Sequence, residues 1–131
     1  MSGCGQSQRP ADQREARGIL QVLGREYGRY LVDHNDAPPK DEAAFRAYLE
    51  SQMTRLKSYG VKQVDDLLKS PRDGQPLTIV CGQRIAAPDQ PDLVWAAFEQ
   101  TGVDGKRLAC NVRGGVEELD ATAFQQRIPM K

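Results

Sequence analysis

The sequence predicts an α+β fold in which a long N-terminal helix packs on a four-stranded antiparallel meander. The first half of the chain has apolar residues at helical spacing, and the part after residue 76 has short alternating segments separated by glycine-rich turns. Helices followed by strands, rather than alternating with them, are typical of the α+β class. We expect residues 11–131 to form one domain, with two short helices before the sheet and one after it.

The composition is that of a globular protein without an excess of either charge. The chain has 131 residues, its 18 Lys and Arg balance 18 Asp and Glu, and 39% of its residues are hydrophobic. Nucleic acid is therefore not expected as the main partner, because it attracts strongly basic surfaces. No apolar run approaches the roughly 20 residues that a membrane span requires.

Residues 1–10, MSGCGQSQRP, are small, polar and without pattern, and we expect them to be a disordered leader. Within them, Ser2-Gly3-Cys4 resembles the end of a bacterial lipoprotein signal, in which small residues precede a cysteine that receives a lipid. We therefore expect lipidation of Cys4 after removal of a signal peptide. The alternative is a free thiol in a polar tail.

The clearest helix is predicted over residues 11–33. One face carries apolar residues three and four positions apart, namely Ala16, Ile19, Leu20, Leu23, Tyr27, Tyr30 and Leu31. Gly24 and Gly28 lie on the same side, so a flat neighbour such as a sheet could approach the helix backbone closely. Asp33, His34 and Asp36 follow, and we interpret them as a polar helix end rather than a metal site.

Two shorter helices are predicted over residues 41–57 and 61–69, each with an apolar face. Ser70-Pro71-Arg72-Asp73-Gly74 then has proline early and Asp-Gly late, which favours a tight reversal.

Four strands are predicted next, and two turns join the last three of them into hairpins. Asp104-Gly105 and Gly114-Gly115 each provide residues that tolerate a positive φ. The stretch Arg84–Pro91, with two prolines, is expected to be an exposed loop. A last short helix over residues 121–127 should pack through Phe124. The predicted strands are Leu77–Cys81, Leu93–Phe98, Lys106–Val112 and Val116–Leu119.

Cys81 and Cys110 both fall in alternating apolar segments. They could form a disulfide between strands or remain two buried thiols, and the sequence leaves both alternatives open. The chain has one histidine, no nucleophile elbow and no phosphate-binding or dinucleotide motif. We therefore expect no enzymatic activity, no metal and no cofactor. An enzyme that uses Cys81 or Cys110 is a weaker alternative.

Two stretches resemble the prepilin-type, processing-associated C-terminal domain of pilin-like secreted bacterial proteins. The first, Leu67–Gly82, reads LLKSPRDGQPLTIVCG, a helix that ends in Ser-Pro-Arg-Asp-Gly before a strand. The second, Val94–Gln125, has a strand ending in Glu, a Val-Asp-Gly turn, a strand, an Arg-Gly-Gly-Val turn and a closing helix. The family-like turn residues are Pro71, Arg72, Asp73, Gly74, Asp104, Gly105, Gly114 and Val116.

The chain departs from the family in two places. Arg113 stands where the family has an aspartate, and the family's histidine, expected near Val103, is missing. The hairpin itself should survive, since Gly114 keeps the turn geometry.

The resemblance implies a non-enzymatic, pilin-like domain in the periplasm or at the cell envelope, with a structural or protein-interaction role. Its partner would be an unknown envelope protein, reached through loops such as Arg84–Pro91, and its membrane contact only the lipid on Cys4. The alternative is a soluble small-ligand-binding or accessory module. Its pocket would lie between the sheet and the helix over residues 41–57, lined by Tyr48 and Tyr59.

Overall fold

A computed structural model describes residues 10–130, and its longest element is α1, Pro10–Asp33. The apolar stripe of α1 is buried as predicted, apart from Ile19, which is partly buried. The helix lies against two strands of an antiparallel sheet, Gln90–Glu99 and Lys106–Asn111. The α+β class and the long helix on the sheet are thus confirmed.

Gly24 and Gly28 let α1 approach the sheet closely. A Cβ atom on Gly28 would lie 2.6 Å from the Val112 carbonyl oxygen, and one on Gly24 would collide with the Asn111 carbonyl. Only glycine, which has no Cβ atom, allows the two backbones to come this close. The close approach that the two glycines predict is therefore present.

The predicted helix over residues 41–57 is two helices, α2, Glu42–Ser51, and α3, Met53–Ser58. Gln52 leaves the helical conformation, with φ −106° and ψ 14°. The Ser51 hydroxyl donates to the Tyr48 carbonyl at 2.6 Å, a local bond that competes with the helix ladder and bends helices.

The predicted helix over residues 61–69 is a single 3-10 turn, Val64–Leu67. Val61, Val64, Leu67 and Leu68 are buried, as expected. The helix cannot continue because the next residues pair with the start of the sheet. The Leu77 amide donates to the Leu68 carbonyl at 2.8 Å, and Lys69 forms a bridge with Pro76.

The sheet has five strands, in the order β1-β3-β4-β5, with β2 paired to β3 as well. All pairs are antiparallel. The strands are β1, Leu77–Ile79; β2, Ala86–Ala87; β3, Gln90–Glu99; β4, Lys106–Asn111; and β5, Val116–Asp120.

The expectation of an exposed loop over Arg84–Pro91 is wrong in part. Ile85 is 3% exposed and Ala87 2% exposed, and the Trp95 amide donates to the Ile85 carbonyl at 2.8 Å. Burial of these two side chains draws the segment onto β3 as the fifth strand, β2. The tip and Arg84 remain exposed.

The two predicted hairpin turns are present, with one difference. Asp104 and Gly105 have φ values of 53° and 75°, and Val103 and Lys106 exchange backbone hydrogen bonds across them. In the second turn only Gly114 has a positive φ, of 87°. The Asn111 side chain completes that turn by accepting from the Arg113 and Gly115 amides.

The short helix α4, Ala121–Arg127, closes the fold as predicted. Phe124 packs edge-on against Phe98, with ring centroids 4.8 Å apart. Trp95 is fully buried in β3, and its indole Nε1 donates to the Arg127 carbonyl at 2.8 Å. The end of α4 is thereby fixed to the centre of the sheet.

Candidate functional site

The family-like segment Pro71–Gly74 binds to the end of β3 through Arg72, and we call this set of contacts the clamp. The Arg72 side chain is 1% exposed and makes a two-pronged ion pair with Glu99, which is fully buried. The Nε–Oε2 distance is 3.1 Å and the Nη2–Oε1 distance 2.9 Å. Glu99 also accepts from the Ser70 hydroxyl and the Leu108 amide, so all four bonds to this carboxylate are internal.

Asp73 holds the same end of the sheet. Its Oδ2 accepts from the amides of Thr101 and Gly102, which lead to the Asp104-Gly105 turn. The structure therefore brings Pro71, Arg72, Asp73 and Gly74 together with that turn. The side-chain polar atoms of Arg72 and Asp73 all bind within the protein, so the clamp is scaffold.

Sequence reasoning missed the pairing of Arg72 with Glu99. The signal was Glu99 itself, a carboxylate that directly follows the apolar run from Val94 to Phe98. A charge buried at the end of such a strand needs a partner of opposite charge. The sequence does not show which of its many basic residues would be that partner.

Gly114 and Val116 lie at the other end of the sheet. A Cβ atom on Gly114 would lie 2.8 Å from Nε and 3.0 Å from Cγ of Arg25, so the Arg25 side chain lies across the glycine. Val116 is half-buried at the start of β5, opposite Cys110. The family-like residues thus divide between two ends of the fold.

Cys81 and Cys110 are free thiols in the structure, and no disulfide joins them. Burial raises the pKa of Cys110 to about 12. Burial, followed by the nearby charges of Glu42 and Asp41, raises the pKa of Cys81 to about 11. Both groups are therefore protonated at neutral pH, the opposite of an activated nucleophile. Cys4 lies outside the described residues, as does nearly all of the predicted leader.

The end of the sheet near Gly114 carries an open groove of about 700 Å³. We call it the arginine cleft, because Arg25, Arg29, Arg55, Arg84 and Arg113 line it. The first two come from the C-terminal half of α1, four positions apart and so on one face. Arg84 comes from the segment before β2, and Arg113 from the turn between β4 and β5. Segments distant in sequence therefore place five arginines around one space.

Three of these five arginines lack an ion pair among residues 10–130. Arg25, Arg84 and Arg113 have no carboxylate within ion-pair distance there, and Arg29 reaches Glu26 only at 3.8 Å. By contrast, Arg55 at the cleft wall is bound to Glu26 through two hydrogen bonds. The acidic residues that line the cleft are Asp33, Asp36 and Asp92.

The rest of the cleft wall offers a hydroxyl and an apolar surface. The Tyr48 hydroxyl donates to Asp33 Oδ2 at 3.3 Å. Burial, then the Asp33 charge, raises the pKa of Tyr48, so it stays a neutral donor. Val32 is 80% exposed, next to the partly covered Val112 and the buried Val94.

A second open groove, of about 740 Å³, lies between α1 and the 3-10 turn. It is lined by Ile19, Val22 and Tyr59, and Tyr59 is 54% exposed. The pocket expected to contain both Tyr48 and Tyr59 is therefore not formed, because the two tyrosines line different grooves. Tyr48, on α2, lines the arginine cleft instead.

Within residues 10–130, no helix is both long enough and apolar enough to cross a bilayer. The same residues contain no group of three or more His, Cys, Asp or Glu side chains that could hold a metal ion. No protein-family model, curated protein or solved structure matches the chain.

Proposed function

We propose that the chain is a non-enzymatic interaction domain, held at the cell envelope by a lipid on Cys4. The observation that carries the interaction role is the arginine cleft. It combines three arginines that lack an ion pair in the described part of the chain with Val32, whose side chain is 80% exposed. Contiguous charged and apolar surface of this kind is typical of a binding site.

The envelope location rests on the sequence before α1. Ser2-Gly3-Cys4 resembles a lipoprotein processing site, and the polar residues 5–9 would separate the lipid from α1. The resemblance of Leu67–Gly82 and Val94–Gln125 to pilin-like proteins supports the same location. A long helix on an antiparallel sheet is the arrangement that this resemblance implies.

Lipid labelling tests the anchor. Cells that express the full-length gene product are fed a clickable fatty acid, beside cells that express the Cys4→Ser variant. We expect label on the wild-type protein and none on the variant. Equal labelling of both, or of neither, would contradict lipidation of Cys4.

Photocrosslinking tests the interaction role. A photoreactive amino acid replaces Val32 in the cleft or, as a matched control on the other groove, Tyr59. We expect one discrete crosslinked species from position 32, lost when Arg84→Glu and Arg113→Glu are added. Crosslinks from position 59 alone would place the interaction on the other groove and contradict the assignment.

A small-ligand-binding module is the second candidate, because the cleft volume of about 700 Å³ lies within the range of small-molecule sites. A small molecule that raises the melting temperature of the wild type, but not of a Tyr48→Ala variant, would favour it over the interaction role.

A further inference from the structure

The arginines of the cleft are concentrated in a chain whose formal net charge is zero. They therefore do not reflect a generally basic surface. Elsewhere Arg46, Arg72 and Arg127 each form an ion pair, whereas the exposed Arg17 forms none within residues 10–130. In the cleft, Arg25, Arg84 and Arg113 have hydrogen-bond donors that no acidic side chain of residues 10–130 occupies. This local excess of donors favours a ligand that brings carboxylate or phosphate oxygens.

The exposed Arg25 side chain packs its stem over the backbone of Gly114. Its Cγ and Nε lie over Gly114, where a Cβ atom would come within 3.0 Å of both. Gly114 also has a φ of 87°, so this position requires glycine for its backbone and for the space that Arg25 fills. An arginine whose stem is packed in this way loses less conformational freedom when it binds.

The other residues of the cleft indicate which anion fits. Asp33, Asp36 and Asp92 would repel the dense phosphates of a nucleic acid or an anionic membrane surface. A peptide can place its carboxylates on the arginines and avoid the aspartates. The exposed Val32 and the partly exposed Val112 offer apolar contact that a peptide side chain can use.

We infer that the arginine cleft binds an acidic segment of a partner protein, in which carboxylate and apolar side chains alternate. This inference rests on the proposed interaction role and names the chemistry of the partner. Each guanidinium group would donate two parallel hydrogen bonds to one carboxylate of the partner. Val32 would contact an apolar side chain that lies between two such carboxylates.

Fluorescence polarisation with defined peptides tests the inference. The probes are labelled octapeptides in which Glu or Asp alternates with Val or Leu, and matched peptides carry Gln or Asn instead. We expect the acidic peptides to bind and the amide peptides to bind at least about tenfold more weakly, because bonds to charged groups contribute more. Equal binding of both sets, or of neither, would overturn the inference.

Variants place the binding in the cleft. The Arg84→Gln, Arg113→Gln protein should lose at least about tenfold in affinity. The Arg17→Gln control removes an exposed arginine of α1 that does not line the cleft and should change little. The Arg84→Lys, Arg113→Lys protein keeps the charge but loses the two parallel hydrogen bonds, so it should recover only part of the affinity. Full recovery would indicate attraction by charge alone and overturn the pairing of each guanidinium group with one carboxylate.

Phosphatidylglycerol vesicles and single-stranded DNA serve as competitors. We expect neither to displace the peptide at physiological salt, and displacement through the same arginines would assign the cleft to phosphate ligands instead. The crosslink at position 32 separates the two proposals. If it persists while no acidic peptide binds, the interaction role stands and the acidic partner is wrong; if both fail, both proposals fail.

Discussion

Glu99 is a carboxylate with no exposure to solvent, stabilised by Arg72, Ser70 and the Leu108 amide. Removal of one member of a buried ion pair leaves the other charge unpaired in a poor solvent for charge. The substitution Glu99→Gln keeps the side-chain shape but removes the charge that Arg72 requires. Glu118, the other carboxylate on Arg72, is one-third exposed and compensates only in part.

We expect Glu99→Gln to lower the free energy of unfolding by about 3 kcal/mol or more, measured by urea denaturation. The matched control is Asp65→Asn, which breaks the exposed pair between Arg46 and Asp65. That change should cost less than about 1 kcal/mol, since solvent screens exposed pairs. Similar losses in both variants would contradict the role of Glu99 as the centre of the clamp.

At the scale of elements, α1 offers a direct comparison of two glycines. In Gly28→Ala the new Cβ would meet the Val112 carbonyl at 2.6 Å, so backbone must move, at a cost of about 1–3 kcal/mol. In Gly18→Ala nothing lies within 4 Å, and the higher helix propensity of alanine should stabilise the protein by up to about 1 kcal/mol. Thermal unfolding of both variants measures the difference. Stabilisation by Gly28→Ala would mean that α1 and the sheet are not in close contact there.

The elements that the sequence predicts best are those whose pattern is long or whose turn chemistry is specific. The 24 residues of α1 repeat their apolar spacing over many turns, and Asp104-Gly105 allows few other conformations. The break at Gln52 is accompanied by one local bond from the Ser51 hydroxyl, and β2 depends on the burial of Ile85 against a strand that follows it. Neither a single hydroxyl bond nor a tertiary contact leaves a repeating pattern in the sequence.

The candidate site was less predictable than the fold. The turn residues that resemble a family have a structural role in the fold. The arginine cleft is instead assembled from α1, the segment before β2 and the turn after β4. Of its arginines only Arg25 and Arg29 are near in sequence. Without the fold, nothing distinguishes Arg84 or Arg113 from any other exposed arginine.

For the whole molecule, two buried weak acids, Tyr27 and Cys110, and the partly buried Cys81 predict loss of stability in alkali. Burial raises the pKa values of Tyr27, Cys81 and Cys110, the last two to about 11 and 12. Unfolded thiols ionise near pH 8.5. Between roughly pH 9 and 12 the folded state therefore binds more protons than the unfolded state, so its stability is complete below that range and falls as the pH rises through it.

We expect the urea midpoint to fall between pH 8 and pH 10, and to fall less in Cys110→Ala, which lacks one of these acids. The comparison is made within each protein, because loss of the buried sulfur shifts the midpoint at every pH. An identical fall in both proteins would show that the Cys110 thiol does not contribute.

The hydrogen bond from Trp95 to the Arg127 carbonyl also makes the protein its own fluorescent reporter. Trp95 is the one tryptophan of the chain, and α4 covers its indole at the last helical residue. Emission from an indole shifts to longer wavelength when water reaches it. Release of the C-terminal helix, by a partner or by a protease, would therefore shift the tryptophan emission of unlabelled protein to longer wavelength, and the shift would come from Trp95 alone.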